Sequence, residues 1–293
     1  MIPLRVSAIH FLNPAPLMWS FDHEPDRSDF SARYTLSSDT PAECAAKLAS
    51  GAADLGLVPV AAYTTSLAII PGCAIASRDR VRSILLVVRH PDGISGIRRV
   101  ALDTASRTSS AYTRILFSRF WQLQPAFIDH PPDLEAMLQV ADAALLIGDP
   151  ALFALEDREA RERRNGEQLL YLDLAHEWHT FTGTVWVSAF WAVRPEALTP
   201  ASVSPARLVH DLQHSRDQGL AHIDALSDEW ASRIAVPRAT IQTYLSRNIW
   251  YCLDEPALAG LDLFYRYAAE CGALPPAPTL RFLEPSTQLT PNP

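Results

Sequence analysis

Val100-Ala-Leu-Asp-Thr-Ala-Ser-Arg-Thr-Ser-Ser-Ala-Tyr-Thr-Arg-Ile-Leu-Phe117 opens on a short apolar run and closes on a helical pattern, with Tyr112, Ile115, Leu116 and Phe120 recurring at three- and four-residue spacing. Between the two lie Thr104, Ser106, Thr108, Ser109 and Ser110, with Arg107 in their midst. A strand that runs into hydroxyls at a helix start brings together unpaired backbone N–H groups, the positive dipole end and O–H donors, a combination that favours an anion. The same residues also suit a plain serine N-cap with solvated hydroxyls. The glycines of a phosphate cradle are missing, so a carboxylate is the better match.

Outward from this stretch the chain reads as alternating strands and helices. Leu4 to Ile9 forms a first strand, and Asn13-Pro14 suits a helix start, Asn at N-cap and Pro at N1, unless the Asn13 amide turns toward a ligand. Arg33 to Leu36 reads as a second strand, and Thr40-Pro41-Ala42-Glu43 as a capping box for a helix ending at Gly51. Lys47 follows Glu43 by four residues, the spacing of a surface ion pair. Ala53-Asp-Leu-Gly-Leu-Val-Pro59 is then a short strand stopped by proline. The plan recurs as a helix from Leu134 to Val140 followed by Ala141-Asp-Ala-Ala-Leu-Leu-Ile-Gly-Asp-Pro150, which implies two related βαβ lobes.

Ser83 to Val88 and Val185 to Val193 are apolar strands that bracket the Ser/Thr stretch and read as two crossings between lobes. The expected division is residues 1–92 with 193–293 in one lobe, 93–192 in the other, and a ligand cleft between them. Residues 156–167 form a mixed charge run expected as a solvated helix. Helices are expected at 206–218, about 223–234, 238–250 and 255–271, before an irregular, proline-rich surface tail.

Composition narrows the function classes. The chain has 293 residues, 48% hydrophobic and 20% charged, with a net charge of −8. Of 25 basic residues only Lys47 is a lysine, and no basic patch argues for nucleic acid. No apolar run reaches the roughly 18 residues of a membrane span, and with Met1-Ile-Pro-Leu-Arg-Val running straight into a strand no leader peptide is expected. Cys44, Cys73, Cys252 and Cys271 form no CxxC pair, so reduced thiols in a cytoplasm are expected. His176 with His179, and His210 with His214, are close pairs without a third ligand at a telling spacing, so no metal site is expected. No GxGxxG, P-loop or GxSxG occurs.

Several motifs together carry a resemblance. Phe11-Leu-Asn-Pro-Ala-Pro-Leu17, Gly51-Ala-Ala-Asp-Leu-Gly-Leu-Val-Pro59, Val81-Arg-Ser-Ile-Leu-Leu86, Asp103-Thr-Ala-Ser-Arg-Thr-Ser109, Ile147-Gly-Asp-Pro-Ala-Leu152, Glu177-Trp-x-x-x-Thr-Gly183 and Phe190-Trp-Ala-Val-Arg194 occur in this order. The set resembles the chorismate dehydratases of the futalosine route of menaquinone biosynthesis. Phe11 stands where Tyr is usual, and Thr184-Val-Trp-Val where Leu-Pro-aromatic is commoner.

The resemblance implies an α/β fold like the type II periplasmic binding proteins, two lobes with two interlobe crossings and a helical C-terminal region. It implies a lyase that removes water from chorismate to give 3-[(1-carboxyvinyl)oxy]benzoate, with no cofactor, because aromatisation drives the step. Asn13 is then the expected catalytic residue, acting as a neutral hydrogen-bonding group. Pro59, Ser83, Ser106, Arg107, Thr108, Ser109, Gly148 and Asp149 are the expected substrate-binding set, at the carboxyl ends of strands where open α/β sheets bind ligands. Arg107 points either to solvent or inward.

The base is open among Asp149, His10 and the substrate's own enolpyruvyl carboxylate. Asp149 before Pro150 has the position of an N-cap, which would keep its carboxylate charged and weakly basic. The rival functions are a non-catalytic binder of small anions and the pathway's later lyase, 1,4-dihydroxy-6-naphthoate synthase. The Leu-Asn-Pro-Ala-Pro start argues against the latter.

Overall fold

The computed structural model describes residues 2–89, 91–276 and 278–285. Among these, the strands β1 (Leu4–Ile9), β2 (Tyr34–Asp39), β3 (Leu55–Pro59) and β4 (Ala68–Ser77) precede β5 (Ile84–Val88), β6 (Arg99–Asp103), β7 (Ala126–His130), β8 (Ala143–Ile147), β9 (Leu170–Asp173) and β10 (Trp186–Val193). They form two five-stranded sheets, ordered β2-β1-β3-β10-β4 and β7-β6-β8-β5-β9. In each sheet three strands run parallel, β1 with β2 and β3, β6 with β7 and β8. The remaining two add antiparallel, β10 beside β3 and β5 beside β8. The recurring helix, Ala-Asp, apolar strand and proline thus produce β3 and β8, which hold the same place in two matching sheets.

The expected boundary at residue 92 needs correction. β5 was grouped with the first lobe, yet it pairs with β8 and β9 inside the second sheet. Every residue of Ile84–Val88 is buried, as in a strand with both faces covered. The crossings are therefore the short segments 78–83 and 174–185 rather than the strands beside them. Asp173 ties the two segments together. Its carboxylate accepts the N–H groups of Val81 at 3.2 Å and Arg82 at 2.6 Å, and also caps the helix Leu174–Thr182 through Ala175 and His176.

The helix Pro41–Ser50 carries the full capping box of Thr40 and Glu43. Lys47 does not pair with Glu43, whose carboxylate is taken by Thr40. It reaches the buried Asp39 at 2.6 Å. Burial alone would raise the Asp39 carboxyl, but hydrogen bonds from Lys47, Ser7 and Ser37 outweigh it and hold the group below its ordinary value. The charge run is also only partly solvated: Arg161 is buried and bridges Glu135 and Glu167.

Tyr112, on the helix Arg107–Ile115 of the second lobe, lies between Trp186 at 3.6 Å and Phe264 at 4.1 Å ring separation. Its hydroxyl also accepts the Val187 N–H of β10, so the Ser/Thr helix start is anchored to the first sheet. The C-terminal helices Pro205–Ala221, Ile223–Ala231, Arg238–Thr243 and Glu255–Glu270 pack on that sheet and on one another. The expected helix 238–250 ends early, passing into a π-helical turn at Tyr244–Asn248. In the expected irregular tail, Arg281 and Leu283 bond to the backbone of Ile69 in β4; residues 286–293 lie outside the described residues. No helix among the described residues is long and apolar enough to cross a membrane.

Candidate active site

The carboxyl ends of β1, β3, β6 and β8 converge with Val81 and Ser83 of the first crossing on one cavity between the two sheets. Asn13, Pro59, Ser83, Ser106, Thr108, Ser109 and Gly148 all line it, so most of the sequence-predicted set comes together here. Ile9, Phe11, Ile75, Ile84 and Ile147 supply the apolar wall, and none of the lining side chains ionises near neutral pH.

The hydroxyls share one polarity. Ser83 Oγ accepts the Tyr244 O–H at 2.8 Å, and Thr108 Oγ1 accepts the Ala61 N–H at 3.2 Å from the opposite lobe. Burial pushes the Tyr244 phenol far above its ordinary range, so it remains a donor. Ser106 Oγ caps the Arg107 helix by accepting the Ser109 N–H at 3.1 Å, and it donates to Ser109 Oγ at 3.0 Å. Ser83, Thr108 and Ser109 therefore each have a lone pair occupied by protein and an O–H left to donate. Arg107 and Thr108, at the first positions of the helix, have no carbonyl one turn back for their N–H groups. Ser106 is the cap, and the helix start faces the cavity with its hydroxyls buried rather than solvated.

Asn13 does not cap. The following turn is Ala15–Met18 with Pro14 in the N-cap position and no side-chain cap. Tyr251 holds the Asn13 backbone carbonyl at 3.0 Å, while Asn13 Oδ1 is buried without a hydrogen-bond partner among the described residues. Asn13 lines the cavity, so this acceptor is open to a donor there.

A family model for menaquinone biosynthesis matches residues 4–270. The chain belongs to the menaquinone biosynthesis family. A chorismate dehydratase of Thermus thermophilus is 33% identical over 249 residues, covering 81% of this chain and 86% of the relative. Among solved structures, a protein from Archaeoglobus fulgidus superposes with a TM-score of 0.68 at 15% identity, over 93% of this chain and 98% of that one. The aliphatic sulphonate binding protein SsuA of Escherichia coli gives a TM-score of 0.64 at 14% identity, over 99% and 94%. The fold is that of the periplasmic binding proteins.

In this member of the menaquinone biosynthesis family two expected substrate contacts lie elsewhere. Arg107 is exposed and faces an outer groove with Asp103 and Asp129. Successive helical residues are about 100° apart, so turning Thr108 and Ser109 inward turns Arg107 away. Asp149 is not an N-cap either, because the helix Gly148–Glu156 starts one residue earlier with Ile147 in the cap position. Its carboxylate instead accepts the Leu12 N–H at 3.0 Å, joining the lobes. Burial raises the Asp149 carboxyl above its ordinary value, against the lowering effects of that N–H and of His10. The expectation of a weakly basic Asp149 thus rested on a cap that does not form.

His10 lines a neighbouring cavity, its Nδ1 2.8 Å from the Asp39 carbonyl. His176 and His214 sit against Asp79 and Asp26, at 2.5 and 2.9 Å.

Sequence reading of this family member missed Phe11 as a lobe contact and Ser188 as a lining residue. Phe11 packs on Gly148, whose φ of +64° is a left-handed conformation, and a methyl group there would lie 2.9 Å from the ring. Ser188 interrupts the buried strand β10 and faces the cavity. The lone hydroxyl in Val-Trp-Val-Ser-Ala-Phe-Trp-Ala-Val was the available signal.

Proposed function

We propose that this protein converts chorismate to 3-[(1-carboxyvinyl)oxy]benzoate and water in the cavity between its lobes. The observation that carries this reading is the polarity of the cavity: neutral O–H and N–H donors for a dianion, one unpaired buried acceptor at Asn13 for a hydroxyl, and a lining without a titrating side chain. Family membership and the dehydratase relative support it. Asn13, Pro59, Ser83, Ser106, Thr108, Ser109 and Gly148 form the substrate site, with a carboxylate at the Ser106–Ser109 helix start. The four cysteines are free thiols, which suits a reducing compartment, and we place the reaction in the cytoplasm.

The proton leaves the ring carbon that bears the enolpyruvyl ether, and the hydroxyl departs from the adjacent carbon as the third ring double bond forms. The ether places the enolpyruvyl carboxylate within reach of that hydrogen. Holding this side chain in one rotamer lets the substrate serve as its own base, a gain from orientation alone. The proton taken up by the enolpyruvyl carboxylate passes to the departing hydroxyl as the C–O bond breaks, so that water leaves and the carboxylate is regenerated. Apolar walls and lobe contacts exclude solvent, which strengthens each polar contact to the substrate.

EDTA-treated protein, incubated in catalytic amounts with chorismate deuterated at the ether-bearing carbon, is expected to release product without the deuterium, at the untreated rate. Mass spectrometry of the product checks this. Recovery of unchanged chorismate would identify a binding protein of the same fold, and restoration of lost turnover by a divalent ion would point to a metal.

A further inference from the structure

The first lobe presents little polarity to the cavity: beside Ile9, Pro59, Ile75 and Ala189, its polar lining is Asn13 and Ser188. Ser188 lies at a β-bulge. Val187 pairs with Ala76 and Ala189 with Ile75, so two steps of β10 oppose one of β4 and Ser188 is the additional residue. Bulges re-aim side chains, and here Ser188 alone is partly exposed in a strand otherwise buried throughout. Trp186 Nε1–H donates to Ser188 Oγ at 2.8 Å. The indole nitrogen is donor only, so it occupies a lone pair and directs the serine O–H elsewhere. The Trp186 ring is itself fixed by stacking on Tyr112.

We infer that Ser188 is a substrate-binding residue that donates to the second carboxylate of the substrate, and that Trp186 is the positioning residue that sets it as a donor. The inference rests on the proposed dehydratase reading. The Ser106–Ser109 helix start on the second lobe accommodates one carboxylate. A dicarboxylate spanning the cavity then brings its ring carboxylate, which takes no part in the proton transfer, to the first-lobe wall, where Ser188 supplies an O–H. A hydroxyl-to-carboxylate bond of this kind strengthens ground state and transition state alike, so its loss appears in KM rather than kcat.

Steady-state kinetics of Ser188→Ala, Trp186→Phe and the double variant test this. Ser188→Ala is expected to raise KM for chorismate, and the inhibition constant of the product, about tenfold, with kcat within about threefold of wild type. Trp186→Phe is expected to raise KM several-fold alone and to add nothing in the Ser188→Ala background, which a purely structural role of Trp186 would not produce. An unchanged KM in Ser188→Ala overturns the assignment while leaving the dehydratase reading intact. Independent, fully additive effects overturn the role of Trp186. A wild-type protein that does not turn chorismate over removes the reading itself, and the Ser188 assignment with it.

Discussion

Replacing Asn13 by alanine is expected to lower kcat about 10²-fold or more, the scale of losing one well-placed polar contact in a transition state. Asn13 is held by its backbone, through Tyr251, and its side-chain oxygen is buried and unpartnered among the described residues. Keeping a polar atom in that condition costs stability unless a ligand satisfies it. In the proposed reaction the amide contacts the ring hydroxyl or the enolpyruvyl carboxylate, groups whose charge changes as water is lost. The alanine variant should retain its thermal midpoint, or gain slightly, because a buried unpaired oxygen is removed. Asn13→Asp should be no better than alanine, since it replaces the donor with a negative charge beside a dianion. Stopped-flow and steady-state rates check both, and an alanine variant with near wild-type kcat would remove Asn13 from the chemistry.

Gly148→Ala is expected to lower kcat/KM about 10- to 100-fold, the range for a displacement of roughly 1 Å near reacting groups. Two effects combine. The left-handed backbone disfavours a side chain by about 1–2 kcal/mol, and the methyl group would press on the Phe11 ring. Phe11 and Leu12 lie on one lobe, Gly148 and Asp149 on the other, so the substitution pushes apart the segments that close the cavity. Asp149→Asn serves as the contrasting variant. Its amide oxygen still accepts the Leu12 N–H, so closure is kept and most of the rate should remain. If Gly148→Ala turns over normally, this contact does not shape the site. If Asp149→Asn abolishes turnover while product still binds, the buried Asp149 is the base and the substrate-assisted route is wrong.

Much of this was legible where local chemistry decides. Thr40 and Glu43 form their capping box because both partners lie within one turn. Tyr112, Ile115 and Leu116 are fully buried, as their spacing requires. Leu55–Pro59 and Ala143–Ile147 became equivalent strands because the same order of elements builds the same half-sheet twice. Several of the misreadings concern groups with more than one available partner. Asp149 had a helix start beside it, but its carboxylate took an N–H 137 residues away in sequence. Lys47 had Glu43 one turn back, but that carboxylate was already engaged at the cap and Asp39 was buried within reach. Ile84–Val88 is apolar enough for either sheet, and periodicity does not name a strand's neighbours. Ser188 reaches the cavity through a bulge, which depends on register between strands more than a hundred residues apart.

The most direct measurement is the ultraviolet spectrum of chorismate mixed with the wild-type protein at far below stoichiometric amounts. The diene absorbance should disappear with time and be replaced by that of a substituted benzoate, at a rate proportional to protein concentration. A spectrum that stays unchanged, under conditions where calorimetry shows chorismate bound, would contradict the account and leave a protein that holds the anion without dehydrating it.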